Sequence, residues 1–490
     1  MKDNIVRTRF APSPTGFMHI GNLRTALFEY LVAKSAGGDF VLRIEDTDQE
    51  RFVEGAVDKI YQALKITGLQ HDEGPDIGGN YGPYVQSERK DIYKEAIKPL
   101  LDSGKAYYCF CSEERLEEVQ AQQKAAGSDF IGYDRHCRHL SSEEVQEKLA
   151  SGASYVIRQA MPTEGEITYT DEVYGELTFE NATFEDQVLL KSDGFPTYNY
   201  ANVIDDHAMN ITHIVRGNEY LSSTPKYIHL YEAFGYDVPK FIHLPLINGN
   251  DGTKLSKRHG ATSLEDLLKE GYLPEAIVNY LAMLGWSPKG TQEFFTLPEL
   301  EKAFSVDGIA KSPATYDEVK LQWYNEHYMQ KLSLAEFIAV AKDFFLQVDP
   351  EMSEETMKLL AENLQSRISK LTEIPEKIAF MAGLQDFDLE LLVHKKSKST
   401  LESSQQVLSD FVSILKDTEW NDNAIKASMI DYAEKNELKN GTVMFPIRIA
   451  VTGQTVTPGG TVEVLLYLGK EESLKRLQHS LDRLNKELNS

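Results

Sequence analysis

The 490-residue chain, 41% apolar and 10% aromatic, has a globular composition and is too long for one ordinary domain; at roughly 150 residues each it holds about three or four units. Its 51 basic and 76 acidic residues give a net charge of −25, so a polyanion can bind only where basic side chains are gathered locally. No stretch approaches the ~20 uninterrupted apolar residues of a membrane helix, and the early charges Lys2, Asp3, Arg7 and Arg9 argue against a secretory leader, so a cytoplasmic protein with no membrane partner is expected.

Residues 5–11 read as a strand, residues 21–34 as a helix with Leu23, Ala26, Leu27, Tyr30 and Leu31 on one face, and residues 40–46 as a second strand. In such a βαβ unit ligands collect beyond the strand ends and at the helix N-terminus, where residues 13–21 and 45–48 fall. The turn Ala11-Pro12-Ser13-Pro14-Thr15-Gly16 leads the chain sharply off the first strand. The helix behind it is expected to start with its amides free, where each phosphate charge gains about 0.3–1 kcal/mol. His19 is placed to donate to phosphate, and Gly21 lets an adenine ring or ribose approach the backbone.

Residues 105–192 break this rhythm as an insertion, with a helix capped by Ser112 and ending near Gly127, and a hairpin over residues 168–179 turning at Tyr174-Gly175. All three cysteines lie here, as Cys109-Phe110-Cys111 and Cys137-Arg138-His139. An odd count in a cytosolic setting points to thiols or metal rather than disulfides, and four soft or borderline donors in paired spacing suit tetrahedral Zn2+. Such a site would be structural, because four protein ligands leave no open position; His136 is a substitute ligand.

Strands at residues 197–205, 211–216 and 241–248, with a helix at 225–234, then complete the interrupted fold. Asn250-Asp251-Gly252 is a turn signal that leaves the following loop, Lys254-Leu255-Ser256-Lys257-Arg258, free to close over a ligand. Its ammonium groups can follow charge moving onto a pyrophosphate. The last third is helical, with a Ser333…Glu336 capping box, the stripe Met357, Leu360, Leu364, Ile368, Leu371, and a terminal helix marked by Leu474, Leu477, Leu481, Leu484 and Leu488. Residues 395–400 read as a polar linker between two halves of this module.

Taken alone, a His-x-Gly is usually a turn histidine and a basic loop a solvated surface. Together, the segment from Arg9 through His19-Ile20-Gly21-Asn22 to Phe28, the run Arg43-Ile44-Glu45-Asp46-Thr47-Asp48 and Lys254-Leu255-Ser256-Lys257-Arg258 resemble class I aminoacyl-tRNA synthetases, specifically the glutamyl-tRNA synthetases of bacterial type. Asn22 departs from the class-wide His-Ile-Gly-His, and no side-chain role is assigned to it. The resemblance implies an α/β Rossmann-like catalytic domain (residues 1–104 and 193–252), an inserted α+β domain for the tRNA acceptor end (105–192), a helical stem-contact domain (253–330) and an all-α anticodon-binding region (331–490) dividing near 395–400.

It also implies the residues. His19, Lys254 and Lys257 would be catalytic, and His19, Gly21, Asn22, Glu219, Lys254, Leu255, Ser256 and Lys257 would hold ATP with its Mg2+. Glutamate carries two carboxylates and one ammonium, a demand met by Arg9, Arg216 and Glu45, the last holding the ammonium. The family's pocket positions fall on Arg9, Ala11, Ser13, Glu45, Tyr198, Asn202, Arg216 and Tyr220, all near expected strand ends. A cation at Arg216 favours glutamate over glutamine, whose pocket would leave it buried without a counter-charge. Cys109, Cys111, Cys137 and His139 match a zinc site of some bacterial members, and Arg367, Arg448 and Thr457 match positions tied to the anticodon. The expected enzyme is a monomer that joins L-glutamate to tRNA-Glu through glutamyl-adenylate. Its rivals are a glutaminyl-tRNA synthetase, which usually carries β-barrels at the C-terminus, and a catalytically silent tRNA-binding protein, which need not keep both His19 and Lys257.

Overall fold

The computed structural model describes residues 5–48, 53–128, 130–260 and 262–489, with the side chain of Lys257 outside the described part. It divides into two compact units, one of Met1–Leu267 with Ile277–Glu318, the other of Leu268–Ala276 with Val319–Ser490.

In the first unit, β1 (Arg7–Phe10) and β2 (Asp39–Leu42) pair in parallel across the helix Ile20–Ser35, the βαβ unit expected from the sequence. The helix is apolar nearly all round, and a helix of that kind packs inside a fold rather than on it. In the following stretch, β3 (Ala106–Cys109), β4 (Val156–Gln159) and β7 (Val188–Leu190) form one antiparallel sheet. The hairpin β5 (Glu166–Asp171) and β6 (Gly175–Glu180) turns at the expected tip, and Ser112 caps the helix Glu113–Ala125. The hairpin does not stand apart. β5 pairs in parallel with β9 (Lys240–Leu244), which pairs in parallel with β8 (His213–Gly217), so the sheet order is β6-β5-β9-β8.

The strand expected over residues 197–205 is instead the helix Tyr198–Ala208. Tyr198, Tyr200, Val203 and Ile204 supply strand-like composition, but the polar residues Tyr198, Asn202 and Asp206 recur every four positions and stack on one helical face. The strand expected over 241–248 is cut at Pro245, leaving β9 and the short β10 (Ile247–Asn248).

The second unit is helical, with the helices Leu334–Leu346, Glu354–Leu364, Leu401–Asp417, Asp422–Lys435, Asn440–Thr452 and Thr461–Leu488. Its core holds Phe337, Phe345, Leu360, Leu408, Phe411, Met429, Ile447 and Leu477, each under 1% exposed. The Ser333 capping box forms as expected. The Met357 stripe leaves the helix after Leu364, and Ile368 and Leu371 are buried beyond its end. Residues 395–400 form a turn closed between His394 and Ser399, after which Thr400 caps the next helix. Among the described residues, no helix is long and apolar enough to cross a membrane.

Candidate active site

A cleft of about 360 Å³ in the first unit is lined by β1 and the turn after it, the first turns of the Ile20–Ser35 helix, the end of β8 and the approach to the lysine loop. It gathers Arg9, Ala11, Ser13, His19, Gly21, Asn22, Tyr198, Arg216, Glu219, Tyr220, Lys254 and Leu255. Sequence positions more than 200 apart thus share one wall.

His19 is the N-cap of its helix, and its Nδ1 accepts from the amide of Gly21 at 3.0 Å, which places the neutral ring's proton on Nε2. A Cβ at Gly21 would sit 3.2 Å from that Nδ1, so a side chain there would crowd the ring. The amides are not all free as expected: that of Ile20 donates to the Thr262 carbonyl at 2.9 Å, and that of Gly21 is taken by His19. Arg24, one turn on, donates to the carbonyls of Pro245 and Leu284, tying this helix to the segment that leads into the lysine loop. Burial pushes its guanidinium down to about 10.

The lysine loop is folded on itself. Asp251 accepts from the amide of Thr253 at 2.9 Å and meets His259 at 3.1 Å, and the His259 ring accepts from the amide of Ser256 at 3.0 Å. Lys254 reaches Glu219 at 3.6 Å across the mouth, with both side chains exposed. Leu255 is buried, Ser256 stands outside the cleft lining, and Lys257 opens a short turn to His259.

At one end of the cleft Arg9 is 5% exposed and enclosed by protein. Its Nε donates to Asp206 at 3.0 Å, Nη1 to Glu29 at 3.3 Å and Nη2 to Asn202 at 3.4 Å. Behind it Arg43, wholly buried, bonds Glu45 at 2.8 Å, Asp206 at 2.7 Å and Asn202 at 2.9 Å. Glu45 and Asn202 therefore form this second layer and do not line the cleft. Burial pushes the Glu29 carboxyl well above its ordinary range, whereas Arg9 and Arg43 overcome the same burial at Asp206 and hold it low. Arg43, Asp206 and Glu29 were not among the expected site residues. Their signal is a charge inside an apolar run, as in Leu27-Phe28-Glu29-Tyr30-Leu31.

At the other end Arg216 is 7% exposed, and its guanidinium carbon lies 5.0 Å from the ring centre of Tyr220, 4.4 Å from Tyr227 and 5.3 Å from Phe241. Nη2 donates to Thr224 at 2.8 Å and Nε to His243 at 3.2 Å. Among the described residues no carboxylate stands within 4.0 Å of it.

The three cysteines converge, with their sulfurs within 4.8 Å of one another and Cys111 3.5 Å from Cys137. Sulfurs bound to one tetrahedral zinc at 2.3 Å lie about 3.8 Å apart, so the spacing fits. His139 does not join them. It is exposed, because the tight turn His136–His139 points residues two apart in different directions. The near donor is Tyr133, whose hydroxyl lies 3.3 Å from Cys109 and 3.8 Å from Cys111 and accepts from the Cys137 amide at 2.8 Å. Hydrogen bonds from Cys137 and Tyr133 push the Cys109 thiol down to about 4 despite its burial.

In the second unit Arg367 donates to the carbonyl of Pro458, Arg448 to that of Thr455 at 2.9 Å, and Thr457 to that of Gly459 at 2.6 Å. The three expected anticodon residues therefore border one loop, between the helices Asn440–Thr452 and Thr461–Leu488.

The family described as "tRNA synthetases class I (E and Q), catalytic domain" matches residues 5–323, and "Anticodon binding domain" matches residues 336–481. The class is thus a class I synthetase catalytic fold, α/β and Rossmann-like with an α+β insertion, followed by an all-α anticodon-binding region. The chain is 51% identical over 487 residues to "Glutamate--tRNA ligase" of Clostridium botulinum (strain Eklund 17B / Type B), covering 99% of this chain and 100% of that protein. It is 50% identical to the ligase of the same name from Clostridium tetani (strain Massachusetts / E88) over 490 residues, the full length of both. A crystal structure of a glutamate tRNA ligase from Elizabethkingia meningosepticum in complex with its amino acid is similar with a TM-score of 0.90 and 36% identity, covering 98% of this chain and 100% of that one. The chain belongs to the glutamate–tRNA ligases.

Proposed function

We propose that the cleft activates glutamate with Mg-ATP and passes it to the terminal adenosine of tRNA-Glu. The chain is a glutamate–tRNA ligase. The observation that carries the choice of amino acid is Arg216: a buried cation on the cleft wall, held by rings and neutral acceptors, with no carboxylate within reach. A γ-carboxylate supplies that missing charge, whereas the γ-amide of glutamine leaves it uncompensated.

The glutamate α-carboxylate attacks the α-phosphorus in line, forming the adenylate and releasing pyrophosphate. His19, with its proton on Nε2, donates to a phosphate oxygen, and Gly21 and Asn22 give the nucleotide its bed. Glu219 meets the ribose, with Lys254, Leu255, Ser256 and Lys257 closing from the other side. Lys257, assisted by Lys254, follows the charge onto the leaving pyrophosphate, where a preorganised cation acts most strongly. Ala11, Ser13, Tyr198 and Tyr220 shape the amino-acid pocket. Arg9, backed by Asn202 and Glu45, presents its remaining N–H groups to the other carboxylate, and the negative second layer draws the ammonium. A hydroxyl of the terminal adenosine then takes the glutamyl group with loss of AMP. No covalent enzyme intermediate is required.

Residues 105–192 grip the acceptor end, residues 253–330 the stem, and residues 331–490, in two parts meeting near 395–400, the anticodon through Arg367, Arg448 and Thr457. Cys109, Cys111 and Cys137 would hold a structural zinc, with the Tyr133 phenol in the place read for His139. When bound, the ion would brace the end of β3 against the turn at Cys137. The enzyme works as a cytoplasmic monomer.

The test is charging of purified tRNA-Glu and tRNA-Gln with labelled glutamate or glutamine by the parent and by Arg216→Ala. The parent attaches glutamate only, and the variant loses at least ~30-fold in kcat/KM for glutamate. Glutamine transfer by the parent, or an unchanged variant, overturns the reading. Metal analysis of the parent should find one zinc per chain, retained in His139→Ala and lost in Cys137→Ser; loss in His139→Ala restores the histidine as ligand.

A further inference from the structure

The choice of acceptor for Arg216 is unusual for a buried arginine. A carboxylate against its Nε would fix its direction equally well, but would also cancel its charge and compete with an anionic substrate. His243 fixes the direction without cancelling the charge, provided its Nε2 carries a lone pair rather than a proton.

That condition is met from the next strand. Asp171, at the end of β5, places Oδ2 at 2.7 Å from Nδ1 of His243 and accepts from its backbone amide at 3.2 Å, while its Oδ1 accepts from the amides of Val173 and Tyr174. A carboxylate accepts only, so the imidazole proton sits on Nδ1 and Nε2 faces Arg216 as an acceptor. Asp171 and His243 are 1% and 0% exposed. The charged and titratable groups around the ring are Asp171 from β5, Arg216 from β8 and Glu219 from the turn after β8, with Thr224 facing Nε2 from the next helix.

We propose that His243, with its tautomer set by Asp171, is a positioning residue for glutamate recognition: it aims Arg216 at the distal carboxylate while leaving that guanidinium its full charge. This rests on the reading that Arg216 takes the substrate's side-chain carboxylate. Burial lowers the proton affinity of the ring, which keeps it neutral near pH 7.

The experiment compares His243→Leu, which removes the acceptor, with His243→Gln, whose amide oxygen reaches toward the same place. Both are assayed for KM of glutamate, KM of ATP and kcat in charging of tRNA-Glu. Loss of aim raises KM for glutamate about tenfold or more in His243→Leu while KM for ATP stays within about twofold, and His243→Gln recovers most of the loss. Asp171→Asn, whose amide would drive the proton to Nε2, reproduces the His243→Leu split and serves should that variant not fold. An unchanged KM for glutamate, an equal rise for ATP, or no recovery in His243→Gln overturns the proposal. Arg216→Ala in the same assay separates the two ideas. If its KM for glutamate is unchanged, the Arg216 reading fails; if it rises while the His243 and Asp171 variants match the parent, only the positioning role falls.

Discussion

The two ends of the cleft bury arginines of similar exposure and opposite surroundings. Arg9 is bound on all three guanidinium nitrogens, to Asp206, Glu29 and Asn202, with Arg43 and Glu45 behind. Arg216 rests among three rings, a threonine hydroxyl and a neutral imidazole. Removing a cation from the first setting strands buried carboxylates, which is costly to the fold. Removing it from the second strands no buried charge: it takes the donor from the His243 acceptor and the counter-charge from the ligand. The Arg9 end thus serves the fold as well as the ligand, whereas the Arg216 end serves the ligand above all.

The largest expected break comes from Arg43→Ala, which leaves Glu45 and Asp206 without a shared partner and should cost about 3–5 kcal/mol in urea unfolding of the first unit. Arg216→Ala, measured alongside, should cost about 1–2 kcal/mol, because the His243 acceptor loses its donor but no buried carboxylate loses its partner. Equal destabilisation by the two would erase the contrast.

A smaller effect should follow pH. Burial places the folded-state pKa of His243 below the ordinary 6.5, so its contribution to stability is complete above that value and declines as pH falls through the folded value. The added proton on Nε2 also removes the acceptor for Arg216, so KM for glutamate should climb on the same acid limb in the parent and not in His243→Gln. The mildest change should be Glu29→Gln. Because burial raises the pKa of that carboxyl and so disfavours its charged form, the swap should cost less than about 1 kcal/mol at pH 7 by urea titration. A loss as large as that of Arg43→Ala would mean that Glu29 is charged.

The readable parts of the sequence are local. The turn at residues 12–16, His19 with Gly21, the lysine loop and the helix caps each depend on neighbours in the chain, and their geometry follows from spacing. What escapes is set by distance. Arg9 meets Asp206 across 197 residues, and nothing in either segment announces the other. The helix Tyr198–Ala208 reads as strand because its aromatic and β-branched content outweighs a polar period of four that only the arginine layer explains. The cysteine pairs point correctly to a cluster. Spacing then favours His139, the better zinc donor by type, and cannot foresee that the turn swings it outward while Tyr133 folds in.

The pairing of β5 with β9 matters for any effort to dissect this enzyme into exchangeable parts. An insertion is commonly treated as cargo, to be trimmed or swapped between relatives with the host left working. Here the segment supplies a strand to the host sheet and buries Ile167 and Tyr169 in a core shared with Ile214 and Phe241. Cutting residues 105–192 down to a linker would unroof that sheet, and a chimera would have to inherit the hairpin together with the strands it leans on.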